Sequence, residues 1–259
     1  MPISTRRNFV AGNWKMFTTP AEAASLIKSL KVKVVNIKNT EIAVCPPFTN
    51  LAVAADLLKG TNVHLGAQNL YWEEKGAFTG EISAEMLAGA GCRFVIIGHS
   101  ERRQYFGEAD ETVNRRLRRA LASTLMPIVC VGETLAQRQA NETAKVVETQ
   151  IRGTFKEVAA SDFGRVTIAY EPVWAIGTGL NATPEQAQEV HALIRNLLAN
   201  LYGAELAQVC RIQYGGSVKP ANAKDLMSQR DVDGALVGGA SLEAEGFAAI
   251  IKAAEEIVK

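Results

Sequence analysis

The sequence has little that would mark a redox, metal-binding or membrane protein. Its 259 residues include only four cysteines and three histidines, and the cysteines stand far apart, with no CxxC pair and no Cys/His spacing. This distribution argues against a zinc site or a disulfide framework and predicts free thiols in a reducing compartment. No apolar run approaches the roughly 18 residues of a membrane span, and the first ten residues lack an apolar signal core. We therefore predict a cytoplasmic protein without a metal and without a membrane partner.

Net charge is also nearly absent, at +1, so composition makes no electrostatic case for binding nucleic acid. The one basic cluster is "NRRLRRA", with Arg115, Arg116, Arg118 and Arg119. Acidic residues precede it, which favours a solvated helix face. Apolar residues are abundant instead: the chain is 47% hydrophobic and 21% charged, enough to bury a large core.

Short apolar, β-branched runs alternate with longer helical patterns along the whole chain. The short runs predict eight strands buried on both faces, as in a parallel sheet, at residues 8–13, 41–45, 63–67, 94–98, 126–131, 166–170, 211–214 and 234–237. The helical patterns include residues 20–31, 111–123, 184–202 and 247–259. Thr19-Pro20 and Thr183-Pro184, each followed by Glu or Gln at the third helical position, predict two capped helix starts.

Eight strand-then-helix units follow one another with no linker or break in composition. They predict an α/β protein, a single-domain (β/α)8 barrel over residues 1–259. A doubly wound sheet is the alternative, because a count of strands alone does not close a barrel. In a barrel, functional side chains lie where the strands end and the following loops begin.

Polar side chains follow the first and fourth predicted strands. Strand one ends in "GNWK", and alternation along an extended chain puts Asn13 and Lys15 on the same side. Strand four ends in "GHSERR", where His99 is the one histidine at a predicted strand end, with Glu101 two residues on. A helix starting at Ser100 would place His99 at its positive end, lowering the imidazole pKa and favouring the neutral form. Taken singly, the lysine could be a surface charge and the histidine structural.

Strand six ends in Glu171, and the next dozen residues read as a mobile lid. Pro172 stiffens its start, Trp174 supplies an apolar anchor, and Gly177 and Gly179 permit unusual backbone conformations. The loop is longer than a typical strand-to-helix connection. Its glycines formally match the dinucleotide fingerprint GxGxxA, but they lie several residues beyond the strand, and the next strand ends without an acid. We therefore reject a nucleotide site.

Double glycines follow the last two strands, as Gly215-Gly216-Ser217 and Gly238-Gly239. Each could be only a tight turn. Together they suit a phosphate nest, because glycine lets backbone N–H groups converge on an anion, and barrels often bind phosphate at these two loops. One carboxylate facing an imidazole and a lysine suits proton abstraction next to a carbonyl, with the enediolate stabilised by the two other groups.

Seven motifs occur in order along nearly the whole chain: "GNWKM", "GAQN", "IIGHSERR", "CVGE", "AYEPVWAIGTG", "YGGSV" and "LVGGASL". Through them the sequence resembles the triosephosphate isomerase family, whose fold is the TIM barrel. The resemblance implies an isomerase of glycolysis and gluconeogenesis that interconverts dihydroxyacetone phosphate and D-glyceraldehyde 3-phosphate without a cofactor. Another phosphosugar isomerase and a non-catalytic phosphate-binding barrel are the alternatives.

The resemblance also implies a role for each polar residue at the strand ends. Glu171 would move the proton between the two substrate carbons, and neutral His99 would polarise the carbonyl and shuttle protons between the oxygens. Lys15 would supply positive charge to the substrate and the transition state. Asn13 would donate a hydrogen bond, and Glu101 would orient Lys15 or relay charge.

The remaining implied roles concern the phosphate and the lid. Backbone N–H groups would hold the phosphate, and they belong to Gly177, Ser217, Gly238 and Gly239. Pro172 and Trp174 would form the stiff side of the lid. Ile176 and Leu236 would clamp the substrate from its apolar side, excluding water from Glu171 and raising its basicity. The sequence departs from the pattern at Leu180, where the family usually has Lys or Arg. We expect this difference to affect the opening of the lid and not the reaction.

The resemblance further implies a homodimer in which the long loop after strand three reaches the partner's active site. Gln68, Thr79 and Gly80 match the family pattern in that loop, and Thr79 would contact the partner's Asn13. Met16 stands at the interface position where many relatives have cysteine. Without the resemblance, the same loop could be an ordinary surface loop.

Overall fold

The computed structural model describes residues 6–176 and 181–257. Within them, eight parallel strands pair in chain order, and β8 closes the sheet onto β1. The strands are β1 (Phe9–Asn13), β2 (Glu41–Cys45), β3 (Val63–Ala67), β4 (Phe94–Ile97), β5 (Met126–Val131), β6 (Thr167–Tyr170), β7 (Arg211–Tyr214) and β8 (Gly234–Val237). The closed order confirms the predicted (β/α)8 barrel over the doubly wound sheet.

The observed strands agree with the predicted ones to within one residue at each end. β4 stops at Ile97 because Gly98 has φ +70, a left-handed conformation that cannot continue a strand. Nearly every strand position is buried, as expected for parallel strands covered by helices on the outside and filled by side chains on the inside.

Helices follow the strands and cover the barrel. They are α1 (Pro20–Lys33), α2 (Leu51–Leu58), α3 (Ala84–Gly89), α4 (Ser100–Tyr105), α5 (Asp110–Leu121), α6 (Leu135–Gln139), α7 (Thr143–Thr154), α8 (Ala160–Phe163), α9 (Pro184–Tyr202), α10 (Ala204–Val209), α11 (Pro220–Met227) and α12 (Ala244–Glu255). The four predicted helices correspond to α1, α5, α9 and α12. No helix among the described residues is both long and apolar enough to cross a bilayer.

The two predicted helix starts form as expected. The Thr19 N–H donates to the Glu22 carboxylate at 2.7 Å, and the Glu22 N–H donates back to Thr19 Oγ1 at 3.4 Å. Thr183 and Gln186 make the same reciprocal pair at 3.0 and 3.2 Å. These caps satisfy N–H groups that the first turn of a helix leaves unpaired.

The core has two layers. Inside the barrel, side chains such as Phe9, Phe94, Ile128 and Leu236 pack against each other, and the opposite strand faces pack against the helices. The four cysteines are all buried and free, as the sequence predicts. Packing on both faces therefore fixes the strands in place. Their C-terminal ends lie together at one mouth of the barrel, where the functional loops begin.

The predicted solvated face of "NRRLRRA" is wrong at Arg116. Its side chain is only 6% exposed and lies between the Leu70 carbonyl, 3.0 Å from Nε, and Glu108, 3.4 Å from Nη2. Arg115 and Arg118 are half-exposed as predicted. The periodicity of charged residues could not reveal that the loop after β3 covers one side of α5.

Candidate active site

A cavity of about 460 Å³ opens where the strands end. It brings together predicted site residues from the ends of β1, β4, β6, β7 and β8. These are Asn13, Lys15, His99, Ile176, Ser217, Leu236, Gly238 and Gly239. Residues far apart in the sequence meet here because a closed parallel barrel places all strand C-termini at the same mouth. Gly177, the remaining predicted phosphate ligand, lies outside the described residues.

Lys15 reaches the cavity by a different route from the one predicted. Its φ is +53, so the chain has left the extended conformation, and strand alternation does not explain its direction. The Lys15 N–H donates to Asn13 Oδ1 at 3.1 Å. Its Nζ lies 2.6 Å from Glu101 Oε1, which confirms the predicted pairing of these two residues. A Cβ atom on Gly238 would lie 3.4 Å from Lys15 Cε, so the stem of the lysine runs close along that glycine.

His99 caps α4 with its ring. The Glu101 N–H donates to His99 Nδ1 at 3.3 Å, and His99 Nε2 lies 2.8 Å from Glu171 Oε1. Burial lowers the pKa of His99, but contact with Glu171, aided by Glu101, outweighs it, and the pKa is raised. The predicted lowering of this pKa is therefore wrong for the arrangement seen here, because a carboxylate touches the ring.

Glu171 is 1% exposed and is not among the residues that line the larger cavity. The Ser100 N–H donates to Oε2 at 2.8 Å, and the Ser100 hydroxyl lies 3.3 Å from Oε1. The carboxylate lines a second cavity of about 340 Å³ at the ends of β4, β5 and β6. Burial raises the pKa of Glu171, but contact with His99 and the Ser100 N–H, together with the charge of Lys15, lowers it overall. The predicted rise in the pKa of Glu171 is therefore not seen while the carboxylate occupies this position.

Glycine is required where the loop after β7 passes Glu171. A Cβ atom on Gly215 would lie 2.9 Å from Glu171 Cγ, and one on Gly216 would lie 2.3 Å from the Tyr214 hydroxyl. After β8, Gly239 begins a 3₁₀ turn, and the Ser241 hydroxyl donates to the Gly238 carbonyl at 2.7 Å. Glycine backbone therefore forms part of this end of the larger cavity, which Val218, Lys219, Ala240 and Glu243 also line.

The sequence reasoning missed a role for Glu133, a fully buried carboxylate at the end of β5. It accepts from Trp174 Nε1 at 2.9 Å and from the Tyr170 hydroxyl at 3.1 Å, and it lies 3.3 Å from Arg138 Nη1. These contacts anchor the 3₁₀ turn Val173–Ala175 that starts the predicted lid. The rule that polar residues at strand ends are functional would have found Glu133, since it lies two residues after the end of β5.

Ser100 was also missed as a partner of Glu171. In the sequence it reads only as the first residue of a helix. Ser100 matters because of its backbone N–H. The direction of that N–H depends on the angle between β4 and α4, which cannot be read from a pattern of residues.

The predicted interface residues do not join the cavity within this chain. Met16 is 94% exposed, and Thr79 and Gly80 are exposed on the loop after β3. Gln68 is half-buried, and its Nε2 donates to the carbonyl of Lys15 at 2.7 Å. Among the described residues, no three His, Cys, Asp or Glu side chains are grouped as metal ligands would be.

Comparisons with known proteins place the sequence in a family. The triosephosphate isomerase family matches residues 8–254. Proteins named triosephosphate isomerase include one from Caldanaerobacter subterraneus subsp. tengcongensis, 56% identical over 246 residues, covering 95% of this chain and 99% of its own length. One from Chloroflexus aurantiacus is 57% identical over 242 residues, covering 93% and 97%. One from Rhodopirellula baltica is 55% identical over 250 residues, covering 96% and 98%. The chain belongs to the triosephosphate isomerase family.

Proposed function

We propose that this protein interconverts dihydroxyacetone phosphate and D-glyceraldehyde 3-phosphate, without a cofactor, by moving a proton between adjacent carbons. The observation that carries the proposal is the position of buried Glu171 beside a cavity where His99 and Lys15 converge opposite a glycine-rich backbone. One base, one polarising ring and one cation are the groups that an enediolate mechanism needs.

Glu171 is the base, and it has to leave Ser100 to act. While the Ser100 N–H and His99 hold the carboxylate, they stabilise its charged form and weaken it as a base. When the carboxylate moves toward the substrate, against the apolar side chains of Ile176 and Leu236, it loses those contacts. Burial is then the remaining influence, and burial raises the pKa of Glu171. The carboxylate therefore becomes basic only when it reaches the substrate carbon.

The same movement lowers the pKa of His99. The contact that raises its pKa is with Glu171, and burial alone favours the uncharged ring. The Glu101 N–H at Nδ1 keeps that nitrogen unprotonated, which leaves Nε2–H to donate to a substrate oxygen.

The reaction then balances without another reactant. Glu171 takes a proton from C1 of the ketose, His99 moves a proton between the two oxygens, and Glu171 returns its proton at C2. Lys15 stabilises the negative charge that develops on the oxygens, and Asn13 donates a hydrogen bond to the substrate.

The phosphate binds at the glycine-rich end of the cavity. Gly238 and Gly239 would offer backbone N–H groups there, and Gly177 would add another from the lid. The Ser217 N–H donates to the Ala175 carbonyl at 3.2 Å, so it would have to exchange that bond for one to the phosphate. Such converging N–H groups favour a phosphate dianion. Ile176 and Leu236 then exclude water from the reacting carbons.

We also propose that the protein is a cytoplasmic homodimer whose whole chain, residues 1–259, acts as one domain. Large apolar side chains are exposed on the loops that follow β1, β2 and β3 and around α3 and α4. They are Met16, Phe17, Phe48, Phe78, Met86, Tyr105 and Phe106. Their position after four consecutive strands, β1 to β4, suits a self-complementary interface formed with the loop that carries Gln68, Thr79 and Gly80.

A coupled assay in both directions, on protein treated with a chelator, tests the proposed reaction. We expect turnover of both triose phosphates with no added cofactor, and solvent deuterium at the exchanging carbon of the product. Phosphate binding without turnover would instead favour a non-catalytic barrel. Turnover restricted to a different phosphosugar would favour another isomerase.

A further inference from the structure

We propose that Gln68 is a positioning residue for Lys15, a role that rests on the proposed function because it acts through the substrate-binding lysine. Lys15 has φ +53, in the left-handed region that residues with a Cβ atom occupy at a cost. Such a conformation persists only where the surrounding structure holds it.

Side chains hold both backbone polar groups of Lys15. Its N–H donates to Asn13 Oδ1 at 3.1 Å, and its carbonyl accepts from Gln68 Nε2 at 2.7 Å. The same Nε2 donates to the Cys45 carbonyl at 2.9 Å, which also accepts from the Trp14 N–H at 3.1 Å. Gln68 thus ties the peptide after Lys15 to the end of β2.

These hydrogen bonds of Gln68 determine where the ammonium group of Lys15 lies. With the left-handed backbone, the stem of Lys15 passes Gly238 and Nζ reaches Glu101 at 2.6 Å. If Lys15 relaxed to an ordinary backbone conformation, the side chain would leave in a different direction, because φ rotates it about the N–Cα bond. Gln68 therefore acts on substrate binding from outside the cavity, without contacting the substrate.

Gln213 provides a matched control. Its Nε2 also donates to two backbone carbonyls, of Phe9 at 2.9 Å and Ala235 at 3.4 Å. It is fully buried inside the barrel, near the starts of β1 and β8, at the opposite end from the cavity. Gln68→Met and Gln213→Met remove equivalent pairs of hydrogen bonds with little change in size.

The experiment compares these two variants with the wild-type protein. It measures kcat, KM, the inhibition constant of inorganic phosphate and the melting temperature with and without phosphate, at concentrations where sedimentation shows the same association state.

We expect Gln68→Met to raise the phosphate inhibition constant and KM about tenfold. The rise in melting temperature caused by phosphate should shrink in parallel. Gln213→Met should lower the melting temperature but leave the phosphate constant within about twofold. Gln68→His, which keeps one N–H donor, should fall between wild type and Gln68→Met.

Equal phosphate constants for Gln68→Met and wild type, or equal effects of the two methionine variants, would overturn the positioning role. The phosphate-dependent melting temperature needs no turnover. If the wild-type protein failed to isomerise triose phosphates, the proposed function would fall while the effect of Gln68 on anion binding would still be measured.

Discussion

The backbone N–H of Ser100 lies 2.8 Å from Oε2 of Glu171 and holds the carboxylate in a cavity separate from the one lined by His99 and Lys15. The proposed base is therefore in a resting position. Its charged form is stabilised there, and the cost of leaving this hydrogen bond becomes part of every turnover.

Ser100→Pro tests the resting position, because proline removes the N–H that donates to Glu171 and fits the first residue of a helix. It also removes the Ser100 hydroxyl, which Ser100→Ala removes alone. His99, just before it, has φ −51 and ψ 141, which a following proline accepts. Loss of a donor to the carboxylate raises the pKa of Glu171, so the acidic limb of kcat/KM should move to higher pH by about one unit. Ser100→Ala keeps the N–H and should leave the limb in place. An unmoved limb in Ser100→Pro would show that this bond does not tune Glu171.

Glu133→Leu tests the anchor of the lid. The change leaves the Trp174 N–H, the Tyr170 hydroxyl and Arg138 without their buried acceptor. We expect the free energy of unfolding in urea to fall by about 3 kcal/mol. Tyr170→Phe, which removes one of these donors, should cost about 1 kcal/mol. Equal losses in the two variants would contradict the role of Glu133 as the shared acceptor.

Glu41→Gln tests the charged cluster at the other end of the barrel. Glu41 lies 3.2 Å from Arg93 Nη2 and pairs with Arg211, close to His64. Burial raises the pKa of Glu41, but the arginines lower it below its ordinary value of 4.5 overall. A lowered folded pKa means that the carboxylate stabilises the protein above about pH 4.5 and that this stability is lost as the pH falls through the folded pKa.

The substitution should therefore lower the free energy of unfolding by about 2 kcal/mol at pH 7, and the difference from wild type should narrow below pH 4.5. Urea unfolding at pH 7 and at pH 4 measures both values. Glu245→Gln should show a much smaller change at both pH values, because the ion pair of Glu245 with Lys33 is exposed to solvent. A difference that stays constant across this range would rule out the ion pairs as the source of the stability.

Met16→Glu tests the proposed dimer. A carboxylate placed at this 94% exposed position would be buried without a partner in a dimer, so we expect monomers in sedimentation at micromolar concentration. Val32→Glu changes a residue on α1 that is 70% exposed and outside the proposed interface, and it should leave the association state unchanged. If both variants keep the association state of the wild-type protein as a dimer, the interface lies elsewhere.

Much of the fold followed from the sequence, since buried parallel strands read as continuous apolar runs and helix caps have local signatures. The strand-end rule also located Asn13, Lys15, His99 and Glu171. It could not give the left-handed backbone of Lys15 or the resting position of Glu171. Both depend on hydrogen bonds from residues far away in the chain, Gln68 and Ser100. The pKa of His99 was mispredicted for the same reason, because its closest charge comes from another strand.

The most direct test of the account is the turnover of Glu171→Gln in the coupled isomerisation assay. The amide keeps the size of the side chain but cannot accept the proton, so kcat should fall on the order of a thousandfold or more, while the melting temperature shows that the barrel is intact. A variant that folds and turns over at the wild-type rate would contradict Glu171 as the base, and with it the proposed mechanism.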